Sequence, residues 1–154
     1  MTEIREAMPL LSRHEGEWEG EYIHVDAAGQ VVDRHASHLC CQFPKEGPND
    51  YYQTNTYRWS DGQEEQFSFP ATFREGRIWF DTERIVGSAW EVDERTIILT
   101  WSRKDIAGAS LSEMIQLSPC GNHRARTWHW FLNGEIFKRT LIKETRVQNA
   151  GQAK

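Results

Sequence analysis

Residues 111–118, LSEMIQLS, set Glu113 among Leu111, Ile115 and Leu117 on one face of a strand-type alternation. A carboxyl on such a face is desolvated, and its pKa rises unless a cation is near, which is how general acids and bases are made. The nearest source of a cation is HRARTWHWF, where Arg124, Arg126, Trp128 and Trp130 share one parity. Arg126 can pair with Glu113 as a structural ion pair, hold a ligand carboxylate, stabilise an enolate, or face solvent. His129 has the opposite parity and is assigned outward.

A second group of candidates begins in GEWEGEY, residues 16–22. Trp18, Gly20, Tyr22 and His24 share one parity, while Glu17, Glu19 and Glu21 share the other and suit water. Tyr22 and His24 would place a phenol (a proton donor) and an imidazole (a general acid or base) on one wall. In DYYQTNTYRW, Tyr51, Gln53, Asn55, Tyr57 and Trp59 form one face, and Thr54, Thr56 and Arg58 suit the outside. An unpaired buried amide costs about 1–3 kcal/mol, so inward Gln53 and Asn55 need a polar ligand, ordered water or each other. Trp18, Trp79, Trp101 and Trp128 are the candidate apolar and stacking walls.

Metal and nucleophile chemistry find little support in spacing. His35 and His38, three apart, fall on opposite faces of a strand, and Cys40 and Cys41 are split across it. No metal site is expected. No Ser-His-Asp motif, phosphate loop or dinucleotide fingerprint occurs.

The elements that must position these residues are short and of period two. The 154-residue chain fits one domain, 1–147, with a flexible tail over 148–154. Its hydrophobic content of 38% includes seven tryptophans, so burial is concentrated in large rings. A formal charge of −5 with no Lys/Arg cluster disfavours nucleic acid. No apolar run reaches signal-peptide or membrane-span length, and a reduced, cytoplasmic protein is expected. A helix is expected over TEIREAMPLLSRH, with Thr2 as N-cap and Ile4, Met8 and Leu11 on one face. Strands are expected near 17–25, 31–43, 50–59, 63–69, 77–82, 85–93, 96–103, 111–118, 123–132 and 135–146. Asp61-Gly62 and Asn133-Gly134 read as type I′ hairpins. Strands that connect only to their neighbours favour an all-β, up-and-down antiparallel barrel, with a two-sheet sandwich as competitor.

A short helix followed by Gly16-Glu17-Trp18 on the first strand resembles the calycin superfamily of lipocalins and fatty-acid-binding proteins. The resemblance implies that Trp18 closes the barrel floor under an arginine from near the last strand, for which Arg139 in FKRTLIKETR is the match. The fuller pattern, GEWEGEYIHVDAAGQVVDRHASHL to LNGEIFKRTLIKETRV, resembles a bacterial calycin family of unknown function. Fatty-acid-binding proteins hold ligand carboxylates with inward arginines on late strands, and Arg126 and Arg139 are the positions carried over, although the family's Arg-X-Tyr pattern is missing. Phycobilin lyases and nitrobindin-like haem proteins are more distant barrels of related outline. Haem on one axial histidine is the alternative cofactor, against which the polar strand at 50–59 speaks; otherwise no cofactor is expected.

Three functions follow. The first is a binding module for a small, partly aromatic and partly polar organic molecule. The second is a cofactor-free isomerase, cyclase or lyase using Glu113, His24 and Tyr22 in the same cavity. The third is a filled barrel acting through its surface. Oligomeric state is left open, a homodimer included.

Overall fold

Beyond Gly16 the alternation becomes ten antiparallel strands in the computed structural model, which describes residues 3–148. They are β1 Gly16–Asp26, β2 Val31–Gln42, β3 Tyr51–Arg58, β4 Glu64–Arg74, β5 Arg77–Asp81, β6 Ile85–Glu91, β7 Thr96–Arg103, β8 Ala109–Leu117, β9 His123–Leu132 and β10 Glu135–Arg146. Each pairs with its sequence neighbour, and β1 closes on β10. The sheet is therefore one closed up-and-down barrel, and the sandwich alternative falls away. All ten expected strands are present, with β4 extended past Pro70 to Arg74. Most of the expected tail, residues 149–154, lies outside the described residues, as does Thr2.

Of the two hairpins expected to be type I′, one differs. Asn133 (φ 53°) and Gly134 (φ 85°) both take the positive φ that a type I′ turn needs, as do Glu75 (φ 53°) and Gly76 (φ 76°). At the β3–β4 corner only Gly62 does, at φ 92°, so Asp61-Gly62 is not type I′. Asp61 instead turns its carboxylate back onto the Gln63 N–H.

The leading helix is split into α1 Glu3–Ala7 and α2 Pro9–Ser12. Pro9 is the cause, because its ring pushes the preceding residue out of the helical region, and Met8 sits at φ −129°, ψ 67°. Ile4, Met8, Leu10 and Leu11 are all buried in the core. Leu11 N–H also donates to the Glu91 carboxylate at 2.7 Å, tying α2 to the end of β6. The helices stop one end of the barrel. No helix among the described residues is long and apolar enough to cross a membrane.

The other end is open, and so is part of one side. β4 pairs with β3 over Glu64–Ala71 but with β5 only over Ala71–Arg74. Its first half, Glu64–Pro70, is thus free on one edge, opposite the β5–β6 turn at Thr82–Arg84.

Candidate functional site

At the closed end Trp18 is fully buried between two guanidinium groups, with Arg124 and Arg146 each 4.5 Å from its ring. Its indole N–H donates to the His14 carbonyl at 3.0 Å. Arg146, not Arg139, is the arginine of the last strand that covers the floor tryptophan. Its guanidinium donates to the carbonyls of Arg13 and Glu15 at 2.6 Å each and of Gly121 at 3.1 Å. Arg139 is exposed on the outer face. Alternation along β10 requires this, since Thr140, Ile142 and Glu144 are the buried positions. Arg139 therefore cannot hold a ligand inside.

Above the floor lies a layer of buried charge. Arg126 donates from Nε to Glu113 at 2.6 Å, and from Nη1 to Glu144 at 3.0 Å and to the Tyr22 hydroxyl at 2.9 Å. Arg124 donates to the other oxygen of Glu144 and bonds His14 Nδ1 at 2.9 Å. Two cations meet two carboxylates, so the layer is neutral, and the bonds to Tyr22 and His14 help meet the need for hydrogen-bond partners that makes buried pairs costly. Although burial opposes it, the two arginines hold the Glu144 carboxyl below its ordinary range. Burial, then the charge of Arg124, drives His14 well below the usual histidine value, leaving it neutral. Gly20 makes room for this layer. A Cβ there would stand 2.1 Å from the Lys143 carbonyl oxygen and 2.8 Å from Glu144 Cγ. The space beside Gly20 is thus filled by Glu144, its partner in the β1–β10 register, rather than by a ligand.

The polar face of β3 satisfies itself. Tyr51 donates to Gln53 at 2.8 Å, Gln53 to Asn55 at 2.8 Å, and Asn55 to the Tyr57 hydroxyl at 2.9 Å. Residues two apart on a strand share a face, so the chain of bonds runs along β3. Tyr51, Gln53, Asn55, Glu113 and Arg126 line only a small inner void of about 40 Å³, room for little more than a water molecule. None of the five borders the large cavity. Glu113 accordingly forms the structural ion pair among the alternatives, and is out of reach of a substrate there.

The large cavity, about 590 Å³, occupies the open half of the barrel. Tyr57, Trp59, Phe67, Phe69, Trp101, Trp128 and Trp130 form its aromatic wall, and Tyr22 and His24 lie on the β1 side. Phe69 and Trp101 stack at 5.6 Å. The cavity continues sideways between Glu65–Pro70 of β4 and Thr82–Ile85, through the unpaired edge. Three cations line it as well: Arg84 4.9 Å from the Phe67 ring, Lys138 4.4 Å from Trp130, and Arg103. Arg103 is held by two bonds to Asp105, at 2.8 and 2.7 Å. Burial lowers the Lys138 ammonium from its ordinary value. The indole nitrogens of Trp101 and Trp128 are buried and have no partner among the described residues.

On the β1–β2 side of this cavity His24 faces Asp33 directly across the ladder, and Tyr22 faces His35. His35 Nδ1 is 2.9 Å, and His24 Nε2 4.0 Å, from Asp33 Oδ2. Asp33 also accepts the Trp59 indole N–H, at 2.9 and 3.2 Å to its two oxygens. His24 Nδ1 lies 2.7 Å from the Thr140 hydroxyl, which accepts the Trp130 indole N–H at 2.8 Å. Burial, then the Lys138 cation, pushes His24 down to about 4. Burial takes the Tyr22 phenol well above its ordinary value, so it stays protonated.

Of the expected site residues, the structure gathers Tyr22, His24, Trp101 and Trp128 at the large cavity. Trp18 belongs to the floor. Trp79 belongs outside, between the buried Ile78 and Phe80, donating its N–H to the Arg74 carbonyl at 2.9 Å with the Arg74 guanidinium 4.4 Å from its ring. His129 points outward as expected. Sequence reasoning missed His35, Trp130 and Lys138 at the cavity and Glu144 beneath it. Parity reaches all four: Trp130 follows Arg126 and Trp128, and Lys138 and Glu144 flank the buried Thr140 and Ile142.

No protein-family profile matches the chain, and no curated protein matches it. Among solved structures it is similar to a DUF3598-family protein of unknown function from Nostoc punctiforme (TM-score 0.69, 17% identity), over 89% of this chain and 49% of that one. The chain thus spans about half the length of that protein. It is also similar to the S-type phycobiliprotein lyase CPES from Guillardia theta (TM-score 0.69, 13% identity), over 92% of each chain. A third similar structure is Rv2717c from M. tuberculosis, at TM-score 0.67 and 12% identity over 92% of this chain and 98% of that one. At these identities the likeness is one of fold, the closed antiparallel barrel.

Proposed function

We propose that the chain is a calycin-type binding protein that takes a small, planar, aromatic anion into the open half of its barrel. The observation that carries this reading is the cavity of about 590 Å³, walled by seven aromatic rings and lined also by three cations, Arg84, Arg103 and Lys138, against two carboxylates, Glu65 and Glu83. Its size falls in the range of small-molecule sites, which are mostly apolar with a few convergent polar groups. Rings stack on a planar ligand, and cations near a low-dielectric wall favour a carboxylate or sulfonate. Trp101 and Trp128, each with an unpartnered indole N–H, add donors suited to a ligand oxygen or a bridging water. The fold it shares with a phycobiliprotein lyase supports a ligand-holding barrel without naming the ligand.

Binding is favoured over catalysis by two features. Glu113 is committed to Arg126, and His24, at about 4, is a far weaker base than general-base work at neutral pH asks for. Native mass spectrometry of the protein purified from its own host tests the reading. One small aromatic acid per chain is expected, with occupancy reduced in Lys138→Gln and Arg103→Gln. A chain that carries nothing, and takes up no 1-anilinonaphthalene-8-sulfonate at its mouth, contradicts it.

A further inference from the structure

His24, Asp33 and His35 do not touch the charge layer that fills the inner barrel, and ligand stacking does not need them. The spacing that separates His35 from His38 does not bear on this group, because it is assembled across the β1–β2 hairpin. His24 and Asp33 are a cross-strand pair, and His35 follows Asp33 by two on the same face. That pattern sets two imidazoles and a carboxylate at the corners of a triangle on one wall, with donor atoms all within 4.8 Å of one another. The strand departs from regular register between His24 and Val25, a local irregularity of the kind that re-aims a side chain.

We propose that His24, Asp33 and His35 bind a first-row divalent transition metal, such as zinc or iron(II), whose remaining coordination positions face the cavity. A metal with bonds of about 2.0–2.2 Å keeps neighbouring donors roughly 3–3.5 Å apart. The two measured separations, 2.9 and 4.0 Å, bracket that span, so small side-chain rotations suffice. Two neutral imidazoles with one carboxylate suit borderline metals rather than calcium or magnesium, which prefer oxygen.

The surroundings hold the donors as an outer shell does. Thr140 bonds His24 Nδ1, which turns Nε2 toward Asp33, and the Trp59 indole N–H anchors the Asp33 carboxylate. His35 Nε2 is buried with no partner among the described residues. Without a metal, His35 Nδ1–H is the donor to the Asp33 carboxylate at 2.9 Å; a bound metal displaces that proton, as it must from any ligand nitrogen, and leaves the ring N–H on Nε2. Three protein donors on one wall leave the opposite side open, as in sites where a metal takes a water or a ligand oxygen.

The test uses Co(II) alone, on chelator-treated full-length protein, read by its visible absorption and by imidazole NMR. One equivalent is expected, with the ring signals of His24 and His35 broadened in the unaltered protein. His24→Gln and Asp33→Asn should each weaken binding by more than the roughly 10–100-fold that loss of an outer-shell partner costs. His38→Gln should leave it unchanged, His38 being an exposed residue beside Glu17 and Glu19 on the outer face. No saturable binding overturns the proposal. So does binding that broadens His38 instead, or that survives both site substitutions. Because no organic ligand takes part, either result is independent of whether the cavity binds an aromatic anion.

Discussion

Replacing Glu113 with glutamine separates its two conceivable roles. The carboxylate is buried and is one of the two that balance Arg124 and Arg126, so the variant leaves two guanidinium groups to Glu144 alone inside the barrel. Breaking a buried pair in this way costs about 3–5 kcal/mol. The expected result is a urea midpoint lowered accordingly, with affinity for an aromatic anion within a few-fold of the unaltered protein. An unchanged midpoint with lost turnover or binding would restore Glu113 to the site. Which residues face inward was legible in the chain: the parities of Trp18, Tyr22, Arg126, Trp128 and Glu113 all hold. Depth was not legible. Gln53 and Tyr57 share a face of β3, yet one borders the inner void and the other the cavity, because the helical stopper fixes which end is filled.

At the scale of elements, the last strand joins the barrel to its stopper through Arg146. That side chain bonds carbonyls at the end of α2, at the entry to β1 and in the β8–β9 turn, while Arg139 on the same strand is exposed on the outer face. Arg146→Gln should therefore destabilise by about 1–2 kcal/mol, the loss of three bonds from a half-buried guanidinium, and Arg139→Gln by no more than about 0.5 kcal/mol. Chemical denaturation of the two variants side by side checks this, and equal effects would contradict it. Gly20→Ala is a second test. Its Cβ would collide with backbone at 2.1 Å, so overpacking of about 1–3 kcal/mol or more is expected, with the barrel forced apart between β1 and β10. The strands themselves were legible from alternation and turn residues. The expected single helix ran through Pro9, where the chain breaks it, and the one-sided pairing of β4, which opens the cavity laterally, depends on how short β5 is and on closure of the whole sheet.

For the molecule as a whole, the buried layer sets the response to acid. His14 is held below its ordinary value of 6.5, so below that pH the unfolded chain takes up a proton that the folded chain refuses. The stability is complete above 6.5 and declines as pH falls. Glu144 acts in the same direction lower down, its contribution present above the ordinary 4.5 and lost as pH drops through its depressed folded value. Urea midpoints measured from pH 8 to 4 should fall from about 6.5 in the unaltered protein. In His14→Gln the decline that begins there should be shallower, with His24, pushed down to about 4, supplying the remainder, and identical slopes in the two proteins would refute this account.

The reading of the barrel as a binder of aromatic anions is tested most directly by its seven tryptophans. Trp59, Trp101, Trp128 and Trp130 line the cavity, Trp18 is sealed in the floor, and Trp79 and Trp90 lie on the outer face beside Arg77. Indole N–H resonances followed by NMR during titration with 1-anilinonaphthalene-8-sulfonate give one signal for each. Saturable shifts at the four cavity indoles, with Trp18, Trp79 and Trp90 silent, are the predicted result. Shifts confined to Trp79 and Trp90, or binding that leaves the four unmoved, would contradict it.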